Sequence, residues 1–306
     1  MLASCESPWQ NLISPVEEIT SYEYLWTQYP SVSKLAKLFD KFDHQLPSMI
    51  ARQENATPEA LADVRHQIGE LLPFRQFCAL FYGDLEYPQV LRDAKNPIEV
   101  LYYQGNLDLL SSQSIAVVGT RKPTEEGRLR ARKVAALLVD NGFTVMSGLA
   151  TGIDTEAHQE SIRLGGRTIG VIGTSLNTVY PKENAKLQRH IARKHLLVSQ
   201  VPFYQYSQQN YLSNRNFFPE RNKTMSALSK ATVIVEASET SGTLIQARAA
   251  LQQGRKLFIL NSCFEKGLEW PARFLKRGAV RIEDGTEILA HLSDDQPLQS
   301  PDMEKD

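Results

Sequence analysis

Three cysteines, Cys5, Cys78 and Cys263, are scattered through 306 residues, and no two stand in a CxxC pair. An odd, dispersed set excludes a disulfide framework and a cysteine metal site, so the thiols are expected to be reduced and mostly buried. No run of about 18 apolar residues occurs, and no membrane-spanning helix is expected. The beginning, MLASCESPWQ, lacks the basic-then-apolar order of a secretion signal, and a cytoplasmic location is the expectation. Net charge is equally scarce, with 34 Lys+Arg against 35 Asp+Glu leaving -1 when His is neutral. Over the whole chain that balance argues against a nucleic-acid partner, because binding to phosphates is driven by cationic surface.

The distribution of charge reverses that inference. Between Ile115 and Lys230, 17 Lys+Arg stand against 8 Asp+Glu, a local balance of +9 that leaves the remaining residues at -10. Arg128, Arg130, Arg132 and Lys133 fall in one helical stretch, where they either coat a solvent face or contribute to a polyanion surface.

Hydrophobic period divides the chain. From about Ser14 to Leu72 the spacing is helical, as in SVSKLAKLF and PEALADVRHQIGELL, with Thr57 as a cap and Pro58 in the first turn. Residues 1–84 are expected to form a small helical domain. YPQVLRDAKNPIEVLYYQGNLDLL, with turn signals at Asn96-Pro97 and Gly105-Asn106, reads as a connector to a larger domain over 85–292. Residues 293–306 are acidic and proline-containing, as a disordered tail would be.

From Ile115 strand and helix alternate. IAVVG, FTVMSG, RTIGVIG, LLVSQ, ATVIVEA and KLFIL read as strands, with AVRI as a further candidate, and helical stretches such as GIDTEAHQESIRLGG separate most of them. Continuous apolar runs mean strands covered on both faces, hence an α/β fold with a doubly wound, mostly parallel sheet. Ligands of such sheets sit beyond the carboxyl ends of the strands. The loops there are GTRKPTEEG, SGLATGID, GTSLNTVYPKEN and EASETSGTL, rich in glycine, small hydroxyls and cations. Converging backbone N–H groups and helix N-termini make such loops suited to anions. The first one departs from a dinucleotide fingerprint, which needs a second glycine where this chain has Arg121.

The ordered set GTRKPTEEG, SGLATGIDTEAH, GTSLNTVYPKEN, FFPERNKTMSALS and VEASETSGTLIQARAALQQGR resembles the DNA-processing protein A (DprA/Smf) family, over roughly Tyr87 to Ile282. The resemblance implies an extended Rossmann-like domain that binds single-stranded DNA without a nucleotide cofactor. It further implies a homodimer that is not an enzyme and that delivers the strand to a RecA-type recombinase during natural transformation. Three departures from the family pattern stand out. Lys223 serves where the family carries a further Arg or Lys after the FPxRN core, keeping charge but losing bidentate geometry, VPFYQYSQQNYLSNRNFF is longer and more aromatic than expected, and GLEWPARFLKRGA replaces the segment tied to the usual dimer surface. No C-terminal winged helix is expected, and a role outside transformation, in defence against foreign DNA, is an alternative.

The candidate nucleic-acid residues are Gly119, Arg121, Lys122, Ser147, Gly148, Lys182, Asn184, Phe218, Arg221, Asn222, Lys223, Ser241, Gly242 and Thr243. Arg121 and Arg221 carry planar guanidiniums that fork onto phosphate oxygens, and the adjoining Phe217-Phe218 pair supplies rings on which bases stack. The competing reading makes the phenylalanines core plugs and Arg221 an internal partner. Asp154 and His158, at i and i+4, are an acid–base pair or, more simply, a cap and a packed histidine. Ser241–Thr243 hold an anion or only cap a helix, and Lys182 and Asn184 touch phosphate or only begin one. No metal or cofactor is expected. The alternative in another class is a nucleotide-binding sensor or phosphoribohydrolase, with Glu236 or Glu239 stabilising charge at a ribose.

Overall fold

A computed structural model describes residues 13–72 and 77–293. Nine strands form one sheet: β1 (Cys78–Phe81), β2 (Val100–Gly105), β3 (Ser114–Gly119), β4 (Thr144–Ser147), β5 (Thr168–Ile172), β6 (Leu196–Ser199), β7 (Ala231–Glu236), β8 (Lys256–Leu260) and β9 (Val280–Ile282). Their order is β1-β2-β6-β5-β4-β3-β7-β8-β9. β6 through β9 pair in parallel, whereas β1 and β2 add an antiparallel edge. The doubly wound, mostly parallel sheet is therefore as the apolar runs imply.

Successive side chains of β3 enter different cores. Ile115 and Val117 pack with Ala131, Val134 and Leu138 of the helix Glu125–Asp140, while Ala116 and Val118 pack with Met225 and Leu244 on the other face. Both faces are covered, so both are lined mainly by apolar side chains.

Among the described residues four helices precede β1: Pro15–Gln28, Val32–Lys41, Pro47–Gln53 and Pro58–Leu71. Thr57 Oγ1 accepts from the N–H of Ala60 at 3.2 Å and Pro58 opens the helix, as its sequence signature requires. These helices share a core with the sheet. Tyr22 lies 6.5 Å from Tyr102 of β2, and Trp26 lies 5.8 Å from Phe217. Buried Glu23 receives Tyr102 Oη (2.7 Å) and the backbone N–H groups of Phe203 (2.8 Å) and Tyr204 (2.9 Å), and its burial pushes its pKa up to about 7.

The structure departs from expectation at the sheet edge. β1 falls within the stretch assigned to a helical unit and β2 within the connector, and the two pair with each other across the expected boundary at 84/85. The four apolar and aromatic residues Val100–Tyr103 carried the strand signal. Of the thiols, Cys78 is exposed and Cys263 is buried, while Cys5 and the tail beyond Ser293 lie outside the described residues.

Candidate nucleic-acid interface

The carboxyl ends of β3, β4, β5 and β7 open into a cleft of about 650 Å³. A register shift between Val118 and Gly119 marks the end of β3 against β7, and the chain turns there into Thr120–Lys122. Gly119 has no room for a side chain, since a Cβ would stand 2.5 Å from Ile153 Cγ1 and 2.8 Å from the carbonyl of Glu236. Its glycine serves packing between strand, helix and neighbouring strand.

Beyond it Arg121 is exposed, with its guanidinium carbon 5.8 Å from the ring centroid of Phe218. Phe218 is half-buried and lies 5.5 Å from Tyr180, so two rings and a guanidinium border the cleft together. Lys122 and Arg215 add cations to its lining. Asp154 is the one carboxylate among the lining residues, and it is only 5% exposed.

Arg221 sits at the floor. The helix Phe217–Leu228 brings it beneath β4 and β5, where Nη1 donates to the carbonyls of Gly148 (2.6 Å) and Val171 (2.7 Å) and Nε to Asn222 Oδ1 (2.9 Å). Nη2 donates to nothing among the described residues, and Arg221 borders the cleft. Burial holds its pKa down at about 10, with Asp154 opposing that shift and the positive charge of Arg121 adding to it. The two arginines thus act on one space, one at the rim and one below it. Arg221 is nonetheless in good part the internal partner of the competing reading, because three of its five N–H groups are spent on the protein.

Asn222 also donates through Nδ2 to the carbonyl of Gly242 (3.2 Å), tying the arginine helix to the loop after β7. In that loop Ser241 Oγ accepts from Thr243 N at 3.2 Å, and Thr243 Oγ1 donates to the carbonyl of Gly119 at 3.1 Å. Both hydroxyls are thus engaged within the protein, Ser241 in the turn before the helix and Thr243 across to the end of β3. Gly242 is exposed on the cleft.

Five further predicted residues do not present groups to the cleft. Ser147 is fully buried and donates to the carbonyl of Val117 at 2.7 Å. Gly148 is buried against the guanidinium of Arg221, where a Cβ would stand 1.9 Å from Nη1. Asn184, 6% exposed, spends Nδ2 on the carbonyls of Leu149 (2.9 Å) and Ala150 (3.2 Å) and on Thr155 Oγ1 (2.9 Å). Lys223 pairs with Glu220 at 2.8 Å and is not among the lining residues. Lys182 is exposed but also lies outside the cleft. Phe217 is 7% exposed and packs on Trp26 and Tyr206, so it is a core plug whereas Phe218 is not.

Asp154 Oδ2 accepts from the N–H groups of Gly148 (3.2 Å) and Ala150 (3.3 Å), and burial raises its pKa against the pull of Arg221. His158 is fully buried, with Nδ1 2.7 Å from Thr168 Oγ1, and burial holds its ring down at about 3. A carboxylate that holds the loop Gly148–Ala150 and a packed, neutral histidine stand in place of the acid–base pair, and the helix is capped at Gly152 without a side-chain bond from Asp154. The two glutamates offered for ribose chemistry are likewise engaged. Glu236 binds Thr124 N (3.2 Å), Thr124 Oγ1 (3.0 Å) and Lys266 Nζ (2.5 Å), and Glu239 binds Trp270 N and Arg273 Nη2, both at 3.0 Å. Arg128 and Arg132 converge on Glu156 at 2.9 and 2.7 Å, which neutralises much of that helix face.

Sequence reasoning did not single out Arg215, Tyr180 or Tyr211 as ligand residues, and all three line the cleft. For Arg215 and Tyr211 the signal was the aromatic, amide-rich stretch before Phe217, whereas Tyr180 stands in the loop GTSLNTVYPKEN just before Pro181.

Sheet, crossovers and cationic cleft at the carboxyl edge define a Rossmann-like binding domain. The chain belongs to the DNA recombination-mediator protein A family, whose pattern matches residues 78–293. It is 38% identical over 214 residues to the Smf protein of Synechocystis sp., covering 68% of this chain and 52% of that protein, about half its length. The crystal structure of DNA processing protein A from Streptococcus pneumoniae superposes with a TM-score of 0.71 at 29% identity, covering 89% of this chain and 97% of that one. A structure of the Helicobacter pylori protein, which describes its single-stranded DNA binding mode, superposes with a TM-score of 0.59 at 27% identity, covering 72% and 98%. Among the described residues no helix is long and apolar enough to cross a membrane.

Proposed function

We propose that the cleft binds single-stranded DNA, without a nucleotide cofactor and without cutting it, and that the protein works as a homodimer handing the strand to a RecA-type recombinase. One observation carries the binding reading: Arg121, Lys122, Arg215 and Arg221 share a cleft with the ring of Phe218, and the single carboxylate there is buried. Cations follow phosphates while rings stack on unpaired bases, a combination that a flexible strand satisfies and a stacked duplex does not. The relative from H. pylori, whose structure concerns single-stranded DNA, supports the same reading. The description of the family as a DNA recombination mediator supports the recombinase part, while the dimer and a cytoplasmic location are what the resemblance implies.

The phosphoribohydrolase alternative draws no support from Glu236 and Glu239, whose oxygens are taken by Lys266, Thr124, Arg273 and backbone N–H groups. Fluorescence anisotropy with a labelled oligonucleotide tests the proposal, using single strand, duplex and mononucleotide over a salt series. Tight single-strand binding with a steep salt slope, no product from any substrate and weak mononucleotide binding are the expected results. Saturable mononucleotide binding with release of free base would overturn it.

A further inference from the structure

The 3₁₀ turn Lys182–Asn184 and the helix Ala185–Lys194 lead away from the cleft between β5 and β6. Along them Lys182, Lys186, Arg189, His190, Arg193 and Lys194 are exposed. Gln188 and Ile191 are buried on the opposite side. Positions 186, 189–190 and 193–194 recur at helical spacing, so the cations form one stripe with a step of about 5.4 Å per turn. Glu183 is the one acidic residue in the segment.

Surface cations of this chain are often paired, as with Arg163 and Glu160 at 2.6 Å or Arg273 and Glu239 at 3.0 Å. No side chain of Lys182, Lys186, Arg189, Arg193 or Lys194 makes an ion pair or hydrogen bond among the described residues. A stripe of like charges one turn apart weakens the helix that carries it. The arrangement costs stability and is not needed for the core, which Ile191 serves with Leu187 and Ala192 packed beside it.

The stripe begins beside the cleft. Tyr180 borders the cleft two residues before Lys182, and Asn184 holds the carbonyls of Leu149 and Ala150 in the loop after β4. Its far part runs along an open groove where Arg189 and Arg193 stand with Phe77 and Tyr103. Cations alternating with rings again suit an unpaired strand.

We propose that this stripe is a second polynucleotide track, along which a single strand leaving the cleft over Tyr180 is held by its phosphates. The inference rests on the cleft reading above. It also gives Lys182 a role that the cleft does not, as the first cation beyond the cleft's edge.

Two labelled oligonucleotides separate the two ideas: one of about 5 nucleotides, which a single compact site accommodates, and one of about 30. The test protein is the full chain carrying Lys186→Ala, Arg189→Ala, Arg193→Ala and Lys194→Ala together, with its thermal transition compared with the parent's. Its control carries Lys186→Arg, Arg189→Lys, Arg193→Lys and Lys194→Arg. For the alanine variant the short oligonucleotide should bind as before. The long one should bind roughly tenfold or more weakly, with a salt slope shallower by about 3, because each phosphate contact on a single strand contributes about 0.7. The charge-preserving control should restore both values. An unchanged long-oligonucleotide affinity, or an equal loss for both lengths, overturns the track. So does binding of poly-glutamate to the stripe with no effect on the long oligonucleotide, which would make the partner an acidic polypeptide. Failure of the parent chain to bind either oligonucleotide would instead sink the cleft reading on which the track depends.

Discussion

The guanidinium of Arg221 occupies the space where a side chain at Gly148 would begin: a Cβ there would stand 1.9 Å from Nη1 and 2.5 Å from Cζ. The arginine reaches the carbonyl of Gly148 at 2.6 Å because nothing lies between them. Gly148→Ala should therefore push Arg221 off both carbonyls, destabilising the fold by roughly 1–3 kcal/mol as overpacked cores do. Thermal unfolding would show the lower transition, and single-strand affinity should fall with it. A variant as stable as the parent and equally tight in binding would mean that the arginine's position is not what shapes the cleft floor.

Arg121 makes the opposite case. It is exposed and forms no ion pair among the described residues, so Arg121→Ala should leave stability within about 0.5 kcal/mol. Binding of a single strand should weaken regardless of base sequence, with the salt slope shallower by about 0.7. Arg221→Ala should lose affinity and also at least about 2 kcal/mol of stability, since two buried carbonyls lose their donor. Equal unfolding midpoints for the two variants would contradict the division between rim and floor.

The neighbouring phenylalanines separate in the same manner. Phe218→Ala should cost about 1–3 kcal/mol of oligonucleotide affinity through one lost stacking platform. Phe217→Ala removes a ring packed on Trp26 and Tyr206 and should cost about 3–5 kcal/mol of stability, with affinity preserved in the fraction that remains folded. Denaturant unfolding and anisotropy on both variants check this, and a swapped pattern would reverse the assignment.

How far these roles were legible follows from what each depends on. The central strands could be read because burial on both faces writes itself as an unbroken apolar run, and Ile115–Val118 shows it. Arg121 could be read because it breaks a glycine pattern at a known turn. Burial of Arg221, Ser147 and Asn184 could not, since it depends on carbonyls contributed by other segments: Gly148 and Val171 for the arginine, Val117 for the serine, Leu149 and Ala150 for the amide. A polar residue beside a glycine reads identically whether it faces solvent or fills such a gap. β2 carried a strand signal in Val100–Tyr103, but its place in the sheet could not be read, because its partner β6 lies far along the chain. Arg215 gave no signal of its own, and only the aromatic company of Tyr211 and Phe218 marks its segment.

His158 offers a test in which the sign can be worked out beforehand. Burial holds its folded-state pKa at about 3, while in the unfolded chain it titrates near the ordinary 6.5. Between those values the unfolded state binds a proton that the folded state refuses, so stability is lost as pH falls from 6.5 towards 3 and is constant above 6.5. Two buried acids act in the other direction. Burial raises both Glu23 and Glu99 to about 7, so the folded state holds their protons and stability rises as pH falls from 7 towards 4.5. Glu99 also meets His44 Nδ1 at 2.8 Å, which lowers its pKa against burial, and the parent curve is a sum of opposing parts. Subtracting the curve of His158→Gln from that of the parent isolates the histidine. The difference should be flat above pH 6.5 and slope below it by at most about 1.4 kcal/mol per pH unit, reaching a total on the order of 5 kcal/mol. Urea unfolding at stepped pH measures it, and single-strand affinity at neutral pH should be unchanged because the ring does not reach the cleft. A difference that is flat throughout would mean that the imidazole accepts its proton in the folded state, and the acid–base pairing with Asp154 would have to be reconsidered.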